Sequence, residues 1–136
     1  MRRDGTPTIA IVGAGFSGTA TAVQLARQSA GRAIRVVIVE PSGKFGSGVA
    51  YGTRCTRHVL NVPAGNMSAL PEEPTHFVEW TRRHGINDSP DAFVSRYWYG
   101  VYLHDLLEEA RATARVERVA ARVVDIVRSR TAAARA

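Results

Sequence analysis

The chain has 136 residues, which is enough for one domain with its own hydrophobic core but short for a complete two-domain enzyme. Hydrophobic residues make up 45% and charged residues 22% of the sequence, shares that are typical of a soluble globular chain and favour neither disorder nor a fibrous repeat. The formal net charge is +6, but the arginines are spread from Arg2 to Arg135 without a dense cluster, so we expect no nucleic-acid partner.

The same composition disfavours three other classes of protein. Cys55 is the only cysteine, which excludes an intrachain disulfide and a cysteine-rich metal site. The histidines are scattered and no pair has both helical spacing and a carboxylate partner, so no metal is predicted. The apolar stretch at 8–14 is much shorter than the roughly 20 residues of a membrane-spanning helix, and no signal-peptide cleavage site follows it. We therefore expect no membrane partner and a cytoplasmic protein.

The first predicted elements form a βαβ unit at residues 8–40. The apolar run Thr8–Val12 predicts a strand that is buried on both faces. Apolar residues at three- and four-residue spacings predict a helix over Ser17–Gln28, with Gly31 as its C-terminal stop. The run Arg35–Val39 predicts a second buried strand, which ends before a proline that cannot donate to a ladder. The connection between the two parallel strands is expected to be right-handed.

A long insertion with loops and helices is predicted at residues 41–115. Glycine and proline residues in 41–67 predict mostly loop, with a short extended piece at 58–62. Thr75 is the expected N-cap of a helix of two to three turns. The apolar face of Tyr97–Thr113 predicts a longer helix that packs against the first.

The end of the chain is predicted to return to the sheet. The β-branched residues of Val116–Val127 favour strand, as two short pieces separated near Ala120-Ala121, so a later strand is assigned to 116–128. Residues 129–136 have no periodicity and predict a frayed tail.

A glycine fingerprint lies between the first predicted strand and the first predicted helix. In the G-x-G-x-x-G pattern, the first glycine allows a tight turn, the second lets the backbone approach a pyrophosphate, and the third lets helix and strand pack closely. The helix start offers unpaired N–H groups and a positive dipole end to the phosphates. The residues of the pattern are Gly13, Ala14, Gly15, Phe16, Ser17 and Gly18.

An acidic residue completes this pattern at the end of the second strand. Glu40 follows Gly18 by about 20 residues, the position where a carboxylate accepts hydrogen bonds from ribose hydroxyls. Its negative charge also repels a 2′-phosphate, which disfavours NADP at this site. The combination of strand, glycines, helix, strand and acid predicts that the chain binds the ADP half of a dinucleotide.

The spacing of the third strand favours FAD over NAD. A βαβ step in a plain NAD domain takes roughly thirty residues. Here the insertion at 41–115 delays the next strand, which is typical of FAD domains, where such a connection covers the extended cofactor. An NAD-dependent oxidoreductase remains an alternative.

Four segments together resemble the N-terminal part of a known family: Ile9–Gly18, Glu40–Ser42, Phe45–Thr53 and Leu60–Ser68. They are similar to the bacterial urate-hydroxylase-like FAD/NAD(P)-binding family over about residues 8–127. The strings G-V-A-Y-G-T and N-V-P-A-G-N-M-S carry more of this resemblance than the glycine fingerprint, which many flavoproteins share. The resemblance implies an α/β, Rossmann-like FAD/NAD(P)-binding unit from a flavin-dependent oxidoreductase, of the kind that includes NAD(P)H-dependent monooxygenases.

The resemblance also implies which residues contact the cofactor. The fingerprint glycines and Glu40, with Pro41 after it, would hold the ADP moiety. Gly48, Asn61 and Met67 would lie towards the pyrophosphate or the flavin, and Val123 on the late strand would offer backbone groups to adenine. No catalytic residue is assigned.

Family members are several hundred residues long, so we expect residues 1–136 to be the N-terminal part of an FAD/NAD(P)-binding domain and an incomplete one. NAD(P)H would then be the electron donor of the full-length form. The alternative is a truncated, non-catalytic nucleotide-binding remnant.

Overall fold

The computed structural model of the chain describes residues 5–29 and 32–128, so that Gly31 and the tail 129–136 lie outside the described residues. A short 3-10 turn lies at Ala64–Asn66. The fold is α/β, with a parallel sheet and a helical insertion before its third strand, which confirms the predicted Rossmann-like unit. The elements are β1 (Thr8–Val12), α1 (Phe16–Gln28), β2 (Arg35–Val39), α2 (His76–Arg83), α3 (Arg96–Thr113) and β3 (Val116–Val119).

The three strands are parallel and lie in the order β1-β2-β3. Their carboxyl ends are joined by two backbone hydrogen bonds just beyond the ladder. The N–H of Gly13 donates to the carbonyl of Val39 at 2.8 Å, and the N–H of Glu40 donates to the carbonyl of Val119 at 3.0 Å. The glycine fingerprint and Glu40 therefore both lie at the carboxyl ends of the strands, where open α/β folds bind their ligands.

The prediction that β1 is buried on both faces is wrong. Four of its five residues are exposed, and Val12 keeps 61% of its surface accessible. The reason is its place at the edge of the described sheet, with β2 as its neighbour on one side only. β2 lies between two neighbouring strands, and its residues alternate between buried and partly buried, with Val36 and Ile38 buried in the core.

The later strand is shorter than the predicted 116–128. It ends at Val119, and the second short strand is not formed, because residues 120–128 have no regular structure. Val124 and Ile126 are 88% and 84% exposed, so their β-branched side chains pack on nothing in the described chain. Strand preference depends on such packing and has no effect without a partner strand.

The insertion is held together by aromatic packing between α2 and α3, as predicted. The ring of Phe77 lies 5.0 Å from that of Tyr99 and 4.9 Å from that of Tyr102, measured between centroids. Trp80 adds a hydrogen bond from its indole Nε1 to Asp105 Oδ2 at 3.0 Å. The aromatic residues of α2 and α3 therefore serve mainly as core, and Phe77, Tyr99 and Tyr102 are almost fully buried.

The buried hydroxyl of Tyr102 gives a first test of this core. It accepts a hydrogen bond from the N–H of Ala69 at 3.3 Å and lies 3.0 Å from Nδ1 of His76. Tyr102→Phe would leave the buried N–H of Ala69 and the partly buried ring of His76 without this partner, which should lower the free energy of unfolding by about 1–2 kcal/mol in urea denaturation. Tyr97→Phe is the matched control, since Tyr97 is half-buried. Equal losses in both variants would contradict the assignment.

Candidate dinucleotide-binding site

The glycine fingerprint forms a tight turn that leads from β1 into α1. Gly13 has φ +95°, a left-handed conformation that a residue with a Cβ rarely adopts. Gly15 is the N-cap of α1, with extended backbone and no side chain capping the helix. The first N–H groups of an α-helix have no intrahelical acceptor, so this end of α1 has donors available for an anion.

The second and third glycines of the fingerprint differ in what surrounds them. A Cβ on Gly18 would lie 1.9 Å from the carbonyl oxygen of Gly13, a distance that no packing tolerates. A Cβ on Gly15 would lie 3.7 Å from Cα of Gly48, which is an ordinary contact. Gly18 is therefore required by the packing of α1 on the turn, whereas Gly15 leaves space beside the helix start.

Glu40 is bound to the same turn. Its carboxylate accepts a hydrogen bond from the N–H of Ala14 at 3.2 Å and another from the N–H of Ser42 at 3.0 Å. The bonds from Ser42, followed by the N–H of Ala14, hold the pKa of Glu40 below its ordinary value of 4.5, and the positive charge of Arg122 acts in the same direction. Glu40 is therefore charged at neutral pH and stands next to the glycine turn.

A second glycine-rich loop packs against the first. The N–H of Gly46 donates to the carbonyl of Ala14 at 2.9 Å. Gly48 has φ +54°, and a Cβ there would lie 2.7 Å from Cα of Gly15. The structure thus brings Gly48, one of the predicted site residues, directly beside the fingerprint.

Phe16 and Ser17 lie in the first turn of α1, and both are exposed. The ring of Phe16 lies 6.3 Å from that of Tyr99. The carbonyl of Ser17 accepts a hydrogen bond from Oγ1 of Thr21 at 2.8 Å. Neither side chain blocks the start of the helix, so both residues can present backbone N–H groups there.

The remaining predicted residues are farther along the chain. Pro41 is exposed directly after Glu40. Asn61 is exposed, and Met67 is partly buried against the core. The hydrogen bonds described around Asn61 and Met67 join their segment to residues 90–94 and to Tyr102, and within the described residues none joins it to the fingerprint.

Val123 was predicted on a late strand, and this placement is wrong because β3 ends at Val119. It lies instead in the irregular segment that follows and is 38% exposed. The segment still passes near the site, since the charge of Arg122 affects Glu40.

Sequence reasoning missed two residues that hold the site together. Thr19 is fully buried, and its Oγ1 donates to the carbonyl of Ala14 at 3.3 Å. Gly100 lies inside α3, and a Cβ there would be 2.5 Å from the carbonyl oxygen of Tyr51. A glycine within a long aromatic helix was the available signal, because glycine costs a helix about 1 kcal/mol relative to alanine unless close packing requires it.

A family model described as FAD-NAD(P)-binding matches residues 10–135. The chain belongs to this FAD-NAD(P)-binding family. Membership supports a dinucleotide cofactor, either a flavin or a nicotinamide dinucleotide, and agrees with the turn and the carboxylate described above. No curated protein and no solved structure shows significant similarity to the chain.

The residues of the site fit the cofactor class of the FAD-NAD(P)-binding family. Uncapped N–H groups at the start of α1 suit a pyrophosphate, and the absence of a Cβ at Gly15 allows close approach. The charged carboxylate of Glu40 suits the hydroxyls of a ribose. Within residues 5–29 and 32–128, no helix is long and apolar enough to cross a membrane, and no three potential metal ligands are grouped together.

Proposed function

We propose that this chain binds FAD and forms the nucleotide-binding part of a flavin-dependent oxidoreductase that uses NAD(P)H. The observation that carries the proposal is the hydrogen bond between the N–H of Ala14 and the carboxylate of Glu40, which sets the ribose-binding acid beside the phosphate-binding turn. The urate-hydroxylase-like subgroup, and with it a monooxygenase reaction, is the finer part of the same proposal and is supported by the motifs at 45–53 and 60–68.

The architecture of the insertion supports FAD over a nicotinamide dinucleotide at this site. In a plain NAD domain a single helix connects the second strand to the third. Here the connection carries α2 and α3 as well as the loop whose Gly46 and Gly48 contact the fingerprint. The insertion thus adds a second wall beside the pyrophosphate position, which suits a long, extended cofactor.

The roles of the chain's own residues are binding and orientation. Gly13 and Gly15 let the backbone turn and approach the pyrophosphate, which the N–H groups of Phe16 and Ser17 would bind. Glu40 would accept from the ribose hydroxyls, while Pro41 and the backbone near Val123 would flank the adenine. Gly48, Asn61 and Met67 would face the pyrophosphate and flavin side. Bound FAD would supply the redox chemistry, with hydride delivered by NAD(P)H.

Glu40→Gln tests this proposal through the affinity for FAD. An amide presents only one acceptor oxygen, and its NH₂ group would face an N–H donor of Ala14 or Ser42. We expect FAD binding to weaken about 10–100-fold, as measured by fluorescence anisotropy of the flavin. Glu109→Gln, an exposed acid on α3, is the control and should bind FAD as the wild type does.

The pH dependence of FAD binding provides a second test of the role of Glu40. Because the pKa of Glu40 is lowered, its carboxylate remains charged from neutral pH to below pH 4.5. The negative charge is lost only when the pH falls through this lowered pKa. Wild-type affinity should therefore be flat between about pH 5 and pH 8 and fall in more acidic buffer, whereas Glu40→Gln should not show this fall.

Binding of NAD without binding of FAD would favour the NAD-dependent alternative, and bound FAD that NADH cannot bleach would favour a non-catalytic nucleotide-binding module.

A further inference from the structure

A cavity is lined by the loop that contacts the fingerprint and by α3. This cavity has a volume of about 350 Å³, which is within the range of small-molecule sites. Loop 43–54 contributes most of the lining, α3 contributes Tyr97, Val101 and His104 among others, and β3 contributes Arg118. Neither Glu40 nor any fingerprint residue lines it.

Loop 43–54 lines the cavity and also contacts the fingerprint; the space beside the fingerprint and Glu40 is called the dinucleotide crevice below. Its Gly46 and Gly48 contact the fingerprint, through the hydrogen bond to Ala14 and the close approach to Gly15. Its Phe45, Ser47 and Tyr51 line the cavity. Residues that line the cavity and residues that contact the fingerprint therefore alternate along this part of the loop.

Close packing fixes the shape of the cavity walls. A Cβ on Gly100 would lie 2.5 Å from the carbonyl oxygen of Tyr51, and a Cβ on Gly52 would lie 2.5 Å from that of Gly48. Nδ1 of His104 lies 3.2 Å from the carbonyl oxygen of Phe45 and so links α3 to the loop. The backbone of these walls therefore needs little ordering when a ligand binds.

The fully charged side chains that line the cavity are all basic. Lys44, Arg54 and Arg118 line it, and no acidic side chain is among the described residues of its walls. Arg118 forms an ion pair with Glu108 at 2.7 Å, with its guanidinium carbon 5.4 Å from the centroid of the Phe45 ring. Across residues 5–29 and 32–128, Lys44 and Arg54 have no carboxylate partner. Two positive charges in the cavity are therefore uncompensated.

We propose that this cavity binds a small aromatic phosphate. A phosphate dianion matches the two uncompensated charges of Lys44 and Arg54 and accepts their hydrogen bonds. The rings of Tyr51 and Tyr97, together with Val101, offer an apolar surface to a flat ring. This site is additional to the dinucleotide crevice and does not depend on which cofactor the crevice binds.

Phenyl phosphate is the probe, titrated into the full chain carrying Gly15→Ala so that the crevice does not compete for it. Saturable shifts of amide resonances in ¹H–¹⁵N NMR spectra are expected at Ser47, Gly52 and Gly100, and not at Phe16 or Ser17. Phenol and inorganic phosphate should each bind roughly tenfold more weakly, because each lacks one half of the recognised chemistry. Shifts confined to the start of α1, or equal binding of phenol, would overturn the proposal.

Charge variants locate the binding site. Lys44→Ala and Arg54→Ala change exposed side chains and should each weaken phenyl phosphate binding roughly tenfold. Arg57→Ala is the matched control, because Arg57 is an exposed arginine near Arg54 that does not line the cavity. Equal effects of Arg54→Ala and Arg57→Ala would show general attraction to a basic surface and would refute the site. FAD binding by the wild type is measured separately, so either proposal can fail alone.

Discussion

Gly15→Ala is expected to abolish dinucleotide binding while the chain still folds. The backbone of Gly15 has φ −76°, which alanine adopts without strain, and the new Cβ would meet Cα of Gly48 at an ordinary 3.7 Å. The same methyl group would occupy the space through which a pyrophosphate approaches the start of α1. We expect affinity for FAD to fall at least about 100-fold by fluorescence anisotropy.

Thermal unfolding with and without FAD separates this effect from misfolding. Ligand that binds only the folded state raises the melting temperature by mass action. FAD should therefore stabilise the wild type and leave Gly15→Ala unchanged, while the two proteins without ligand should melt at similar temperatures. Retained stabilisation of Gly15→Ala by FAD would show that phosphates do not bind at this helix start.

Local spacing explains why much of this site could be predicted from the sequence. The roles of Gly13 and Gly18 depend on a turn of a few residues, and the position of Glu40 depends on the length of one βαβ unit. Long-range packing could not be predicted in the same way. The contact of Gly48 with Gly15, and that of Gly100 with Tyr51, join segments that the sequence separates and no local pattern pairs.

The errors in the strand predictions have a related physical cause. The apolar residues of β1 indicate that it is suited to burial, but its edge position, which depends on strand order, leaves it exposed. The β-branched residues after Val119 indicate strand, but pairing requires a neighbour, and the described chain places none beside them. Composition thus predicted strand preference correctly for β1 and β2, whereas burial and pairing depended on the assembled sheet.

The other large effect is expected at the third glycine of the fingerprint, where the same substitution should destabilise the fold. Gly18→Ala would place a Cβ 1.9 Å from the carbonyl oxygen and 3.0 Å from the carbonyl carbon of Gly13, and 3.3 Å from Cγ2 of Ile11. Alanine is favoured over glycine within a helix by about 1 kcal/mol, but overpacking costs about 1–3 kcal/mol and more against backbone. Because the contacts at 1.9 Å and 3.0 Å are with backbone atoms, the clash should dominate, and we expect a net loss of about 2 kcal/mol or more.

Urea denaturation of Gly18→Ala and of Gly15→Ala compares the stability effects of the same glycine-to-alanine substitution at two positions of the fingerprint. Gly18→Ala should unfold at a clearly lower urea concentration, and Gly15→Ala should unfold near the wild type. Any loss of FAD binding in Gly18→Ala would then follow from the displaced turn, because α1 must move away from Gly13 to admit the methyl group. Wild-type stability of Gly18→Ala would mean that α1 does not pack on the turn as closely as 1.9 Å implies, and the alignment of its N–H groups with the phosphate position would lose its structural basis.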